Sequence, residues 1–525
     1  MPNISFPQLV SGIRQIDRAF RIALGDILGN VIPYHRGLFL ERQPGEGPQR
    51  TLACQEDLLN ERGPILLAGL DYDGLWTRDS AINVWNGAGL LDSRLGRNTL
   101  VTVLEVADAP KPFDTVQDPA PVEGPLYRRR EVDGEVRIAG QYWDTIIWTT
   151  GAWHEYLYTG NREFLALALE ATCNSLTFFE ATEFDPELNL FRGPACYGDG
   201  VAAYPDVYVH TEHGSSGILQ WPTANPGKVS RPGYGMPMHA LSTNCLYYEA
   251  YCLATRMAQE LGVPGDPSWP ARAEKLKESV NRHFWMPEAG RYRYLVDPFG
   301  GCDYQEGLGH AFAILFGIAG RDQAASILAN VHVTRAGIPC LWPSFPRYQT
   351  PDEMSFGRHS GTVWPHVQGF WAEAAARQGD VAAFDFELIR LAEHACRDLQ
   401  FAEIYHPITG VIYGGIQERG EDRRHQWRSC SRQTWSATAF LRMVLMGLFG
   451  MTFESDGVRF GPIVPARFHD VKLDNLLYRD MRLSVCIRGS GTRLEEFRLN
   501  GNRRDEAFLP LEGTGPQEIE IHVTD

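Results

Sequence analysis

Apolar residues recur at three- and four-residue steps in about twelve stretches of the chain, and each such stretch predicts a helix. These stretches are 9–29, 79–92, 97–107, 141–159, 161–181, 239–262, 269–284, 304–319, 321–331, 360–378, 380–397 and 431–448. In "STNCLYYEAYCLATRMAQELG" the positions Leu246, Ala250, Leu253 and Met257 share one face, and Gly262 closes the helix. "CSRQTWSATAFLRMVLMGLFG" is apolar on nearly every face, which marks a buried helix. The joins "LYTGNREFL" and "ARQGDVAAF" place Gly-Asn and Gly-Asp between two helices, a C-cap followed at once by an N-cap. No repeat of fixed period is present, which argues against a solenoid. About six such hairpins predict a mainly α fold, a closed toroid of paired helices.

The pattern changes twice. From about 451 the period becomes two, in short runs such as "RLSVCIRGSG" and "EIEIHVTD" bounded by Gly, Asn and Asp. This predicts a small antiparallel β domain over 451–525. Residues 1–74 read as an N-terminal helix with an irregular or hairpin segment packed on the barrel, leaving 75–450 as the catalytic domain. Residues 183–238, rich in Gly and Pro, form a long structured loop region, and loops of that length inside a domain are usually functional.

Composition narrows the partners. A net charge of −16 without a basic run excludes nucleic-acid binding as a leading class. No 18-residue apolar span and no signal-peptide core occur, so the expectation is a cytoplasmic protein with no membrane partner. The ten cysteines are scattered without a C-x-x-C, giving no basis for a metal site, a cofactor or a disulfide framework. The oligomeric state has no signature.

The helix-joining loops carry Trp, Tyr, His, Arg and carboxylates beside Gly and Pro. "GLWTRDS" offers Trp76, Arg78 and Asp79, with Asp79-Ser80 where an N-cap belongs. "QYWDTIIW" offers Tyr142, Trp143 and Asp144, and "PACYGDG" offers Tyr197 and Asp199. "GRHSGTVWPH" carries Arg358, His359 and Trp364, "FAEIYHPITG" carries Glu403, and "SRQTWSA" carries Gln433 and Trp435. If the hairpins close into a ring, helix starts of one polarity gather at one end and these loops converge. Indole faces beside charged donors and acceptors suit a small saccharide. Two carboxylates in such a place raise glycoside hydrolysis, which needs one acid for the leaving oxygen and a second group to activate water or attack the sugar.

"EIYHPITG" followed by "QTWSATAFL" resembles the C-terminal signature of the six-hairpin, (α/α)6-barrel glycosidases, most of all glycoside hydrolase family 63 with its trehalase and glycogen-debranching relatives. "SGTVWPHVQGFWAEAAARQGD" is similar to their G-x-x-W-P helix, and "STNCLYYEAYCLATRMAQELG" to the helix after the acid-bearing loop. "GLWTRDS" resembles the W-x-R-D-S loop of exo-α-1,6-mannosidases of the same fold. The resemblance implies an (α/α)6 toroid, Glu403 as general base and Asp199 as general acid. It also implies an inverting mechanism with the two carboxyls roughly 6.5–9.5 Å apart. The family's E-S-G-x-D text is here "PACYGDG", so Asp206 and Glu212 stand as rivals to Asp199. The expected reaction is exo-hydrolysis of a small α-linked glycoside, first an α-glucoside. A glycoside phosphorylase, a sugar isomerase or epimerase using His359 and His366, and a non-catalytic carbohydrate-binding protein remain as alternatives.

Overall fold

A computed structural model describes residues 6–33, 64–72, 75–107, 135–138, 143–210, 217–229, 235–352 and 354–525. Its helices are α1 Arg14–Gly29, α2 Thr77–Trp85, α3 Ser93–Thr102, α4 Trp148–Thr159, α5 Arg162–Thr182 and the single turn α6 Trp221–Ala224. Then come α7 Leu241–Leu261, α8 Trp269–Phe284, α9 Gly307–Leu315, α10 Arg321–Asn330, α11 Pro365–Arg377, α12 Val381–Asp398 and α13 Thr434–Arg442.

The joins behave as their residues dictate. Gly160 takes a left-handed φ of 73°, and Asn161 accepts the Phe164 N–H at 2.9 Å to start α5. Gly379 (φ 76°) and Asp380, which accepts from Ala383 N at 3.0 Å, repeat the device before α12. Several helix starts differ from the sequence expectation, α1, α3, α9 and α13 among them, and three are instructive. α2 begins at Thr77 rather than 79; its N-cap Trp76 makes no side-chain cap bond, since an indole has no acceptor, and Asp79 lies inside the first turn, where Gln433 donates to it. α11 begins at Pro365, since proline holds the first helical position and Val363 before it bridges Tyr405 in extended form. α4 begins at Trp148 after a 3-10 turn at Thr145–Ile147.

Six helices neighbour one another in a circuit: α2 packs on α4, α4 on α7, α7 on α9, α9 on α11, α11 on α13, and α13 on α2. Each has a second helix against it: α3, α5, α8, α10 and α12 in turn, and α1 against α13. Close approach needs small residues. A Cβ on Gly151 of α4 would lie 2.8 Å from the Ala81 Cα of α2, and one on Gly369 of α11 would lie 3.0 Å from the Ala439 Cα of α13.

After α13 a π turn, Met443–Leu448, leads into the C-terminal strands. Strand Met451–Glu454 pairs with Gly457–Phe460 and that with Phe508–Pro510. The larger sheet runs Gln8–Val10, Asp470–Tyr478, Met481–Gly489, Gly515–Thr524, Arg493–Leu499, Asn502–Arg504. It departs from an all-antiparallel C-terminal unit in two ways. Met481–Gly489 and Gly515–Thr524 run parallel, and the edge strand comes from the N-terminal segment, with Leu9 opposite Leu473. Phe453 packs edge-on against Tyr158 of α4 at 4.8 Å, joining sheet and helices in one core.

Candidate active site

The first turns of α2 and α13, the approaches to α4, α7 and α11, and the loop holding Glu403 surround one hollow. It leaves room for about 120 Å³ of water-molecule centres. Tyr72, Trp76, Arg78, Asp79, Asp144, Asp199, Arg358, Trp364, Glu403, Gln433 and Trp435 line it.

Glu403 is buried and held by three donors. Arg358 Nη2 and the Cys430 backbone N–H each donate to Oε2 at 3.0 Å, and Tyr72 Oη donates to Oε1 at 2.8 Å. Arg358 is fixed in turn by the carbonyls of Gly414 and Arg428, both at 3.0 Å, and lies 5.5 Å from the Trp364 ring centre. Three donors on one carboxylate fix its direction.

Asp199 sits across the hollow with its side chain 44% exposed into it. His359 Nε2 lies 3.1 Å from Oδ1, and Arg78 Nη2 lies 3.9 Å from Oδ2. Burial acts to raise the Asp199 carboxyl, but the His359 hydrogen bond and the Arg78 charge outweigh it and hold it well below the usual carboxylate range. Burial of His359 lowers its own proton affinity, and the neighbouring Asp199 carboxylate acts against that fall. Its ring stacks on Trp364 at 5.0 Å.

Arg78 joins the remaining acids. Its Nη1 donates to Asp144 Oδ2 at 3.1 Å and to the Cys196 carbonyl at 2.9 Å, and its guanidinium lies 5.6 Å from the Trp435 ring centre. Burial pushes Asp144 up to about 7, opposed by Arg78 and reinforced by Asp199 and Asp79. Asp79 is also pushed up to about 7, mainly by burial, with Arg78 pulling down and Glu403 and Asp199 adding to the rise. Gln433 Nε2 donates to Asp79 Oδ1 at 3.3 Å. The hollow therefore holds two neutral-leaning acids, an ionised Asp199 and an oriented Glu403.

Several expected residues stand elsewhere. Trp143 and Tyr197 are fully buried behind the wall, and Tyr197 lies 6.4 Å from the His359 ring. Asp206 is outside the hollow, 80% exposed, in an ion pair with Arg347 at 2.7 Å. His366 stacks behind Trp435 at 4.3 Å and does not line the hollow, so no histidine pair faces a ligand there. Tyr142 and Glu212 lie outside the described residues. Sequence reasoning passed over Tyr72, although it stands in "LDYDGLW", and an aromatic four residues before Trp76 was the available signal. It meets Trp76 edge-on at 4.8 Å. Among the described residues, no group of three or more His, Cys, Asp or Glu is arranged to hold a metal ion, and no helix is long and apolar enough to cross a membrane.

The family model described as "Mannosylglycerate hydrolase MGH1-like glycoside hydrolase domain" matches residues 72–436. No curated protein sequence matches. Among solved structures, a family 63 mannosylglycerate hydrolase from Thermus thermophilus in complex with glucose is similar, with 15% identity and a TM-score of 0.52. The match covers 81% of this chain and 99% of that one. A family 78 rhamnosidase of Bacillus sp. GL1 matches at 13% identity and a TM-score of 0.55, over 99% of this chain and 44% of that one. A structure titled sialidase matches at 14% identity and a TM-score of 0.60, over 97% and 42%. This chain thus spans less than half the length of the last two. The chain belongs to the MGH1-like glycoside hydrolase family.

Proposed function

We propose that this hydrolase is exo-acting and inverting, and that it cleaves a small α-linked hexoside within an (α/α)6 toroid. Glu403 is the general base and Asp199 the general acid. The observation that carries the reading is that these two carboxylates line one small hollow, each against its own guanidinium. Glu403, already bound by three donors, takes a proton from a water as that water attacks the anomeric carbon. The glycosidic C–O bond breaks on the opposite face, and Asp199 delivers a proton to the leaving oxygen. Water and glycoside give free sugar and alcohol, with the anomeric configuration reversed. Asp199 is ionised in the empty hollow. It gains the proton it donates when an occupant loosens its His359 or Arg78 contact, with Asp79 and Asp144 beside it as acids that hold protons near neutrality.

The sugar is glucose or mannose and the aglycone a short hydroxy acid. The name of the matching family and a related structure solved with Tris and D-glycerate support this choice. The test is hydrolysis of α-glucosyl- and α-mannosylglycerate without phosphate, with the product anomer followed by NMR. Inversion is expected, and Glu403→Gln and Asp199→Asn should each slow the reaction by roughly 10²–10⁴-fold. A retained anomer, or near-full activity in both variants, overturns the assignment.

A further inference from the structure

Opposite the active-site end, the helices of the circuit finish around a second hollow. It is enclosed by residues of α2, α4, α7, α9, α11 and α13 and by the strand Met451–Glu454. This rear hollow leaves about 440 Å³ for water-molecule centres, against about 120 Å³ at the front. Its floor is a buried charge sandwich. Arg442 lies between Trp85 and Phe370, 4.6 and 4.2 Å from their ring centres, and donates to Asn86 Oδ1 at 3.0 Å. It also pairs with the buried Glu373, which Arg377 meets at 2.6 Å. Among the described residues, the buried Nε of Arg442 has no acceptor. Arg256 stands loosely by Glu249 at 3.8 Å, and Arg459 holds the Glu454 carboxylate at 2.9 Å.

From this we infer that the rear hollow is a second, non-catalytic site for a neutral saccharide. The lining carries three carboxylates, Glu249, Glu373 and Glu454, and three guanidiniums, Arg256, Arg377 and Arg442, so the walls offer no net formal charge to draw a simple ion. They offer alternating donors and acceptors between aromatic planes, with Trp153 and Phe453 on the walls and Trp85 and Phe316 stacked at 6.0 Å. A polyhydroxylated ring satisfies that combination: its hydroxyls bridge the ion pairs and its C–H face covers the indoles. The space exceeds that of the front hollow, so a disaccharide is the better-sized occupant.

The test uses the full-length chain carrying Glu403→Gln, titrated calorimetrically with trehalose and with D-glucose. Two classes of site are expected. Arg78→Ala in the same background should remove the front class and leave the rear one. Thr452→Trp, which places an indole at an exposed strand position lining the rear hollow, should weaken the rear class about tenfold or more and leave the front one. Arg256→Ala, at a side chain 56% exposed, should weaken the same class, which keeps the test decisive if the tryptophan variant does not fold. A single class of site overturns the inference. So does loss of all binding in Arg78→Ala, or a rear class indifferent to both rear variants.

Discussion

Tyr72 and Glu403, 331 residues apart in the chain, are joined by a 2.8 Å hydrogen bond. The phenol belongs to the segment before α2 and the carboxylate to the loop before α13, so the packing of α13 on α2 brings the proposed base and its donor together. Tyr72→Phe removes one of three donors while leaving the ring against Trp76. A hydrogen bond to a charged group is worth roughly 1.5–3 kcal/mol, so kcat should fall about 10- to 100-fold, with KM much less affected. Steady-state kinetics on the best substrate checks this, and an unchanged kcat rejects a role for Tyr72 in orienting the base.

His359 should govern the alkaline side of the pH profile. Its hydrogen bond lowers the Asp199 carboxyl, so removing it raises that group and lets it keep a proton to higher pH. In His359→Phe, which retains an aromatic ring on Trp364, the alkaline limb of kcat/KM should move up by about one unit. A limb that stays in place would separate His359 from the acid.

Stability should fall with rising pH through Glu155. This residue of α4 is fully buried, and its carboxylate fits a slot where a Cβ on Gly89 or Gly96 would collide with it. Burial pushes it from 4.5 up to about 8, against a hydrogen bond from the Arg97 backbone. Below its unfolded value both states hold the proton. Between the two values only the unfolded chain releases it, so stability is lost as pH rises through that window. Melting temperatures of Glu155→Gln should be flatter across the same range than those of the parent protein. Parallel curves would count against it.

The Arg442–Glu373 pair should be worth more as a pair than either member alone. Arg442→Met leaves Glu373 buried with only the half-exposed Arg377, and should cost about 3–5 kcal/mol in denaturant unfolding. Adding Glu373→Leu should recover most of that loss. A double variant as unstable as the sum of the single ones would contradict this.

Much of this was legible in the chain because helices announce themselves locally. The Gly-Asn and Gly-Asp joins and the loop around Glu403 rest on residues close in sequence. What escaped notice depends on residues far apart. Leu9 meets Leu473 through a three-residue strand too short to show alternation, and the parallel pairing of Met481–Gly489 with Gly515–Thr524 has no local sign. Trp143 and Tyr197 look like ligand-facing aromatics in a loop, yet they fill the space behind it. Arg442 was the overlooked clue in "TAFLRMVLMGLFG": a lone guanidinium in so apolar a run needs a buried counter-charge. Asp79 is not a cap because the helix starts two residues before it, which leaves its carboxylate to accept from the distant Gln433 amide.

The placement of α1 against α13, and of Leu9 beside Leu473, sets a timetable for synthesis. Helix α1, which ends at Gly29, keeps its apolar side uncovered until the helices it packs on, α12 from Val381 and α13 from Thr434, have been translated. That long wait leaves the α1 segment exposed to wrong partners during synthesis.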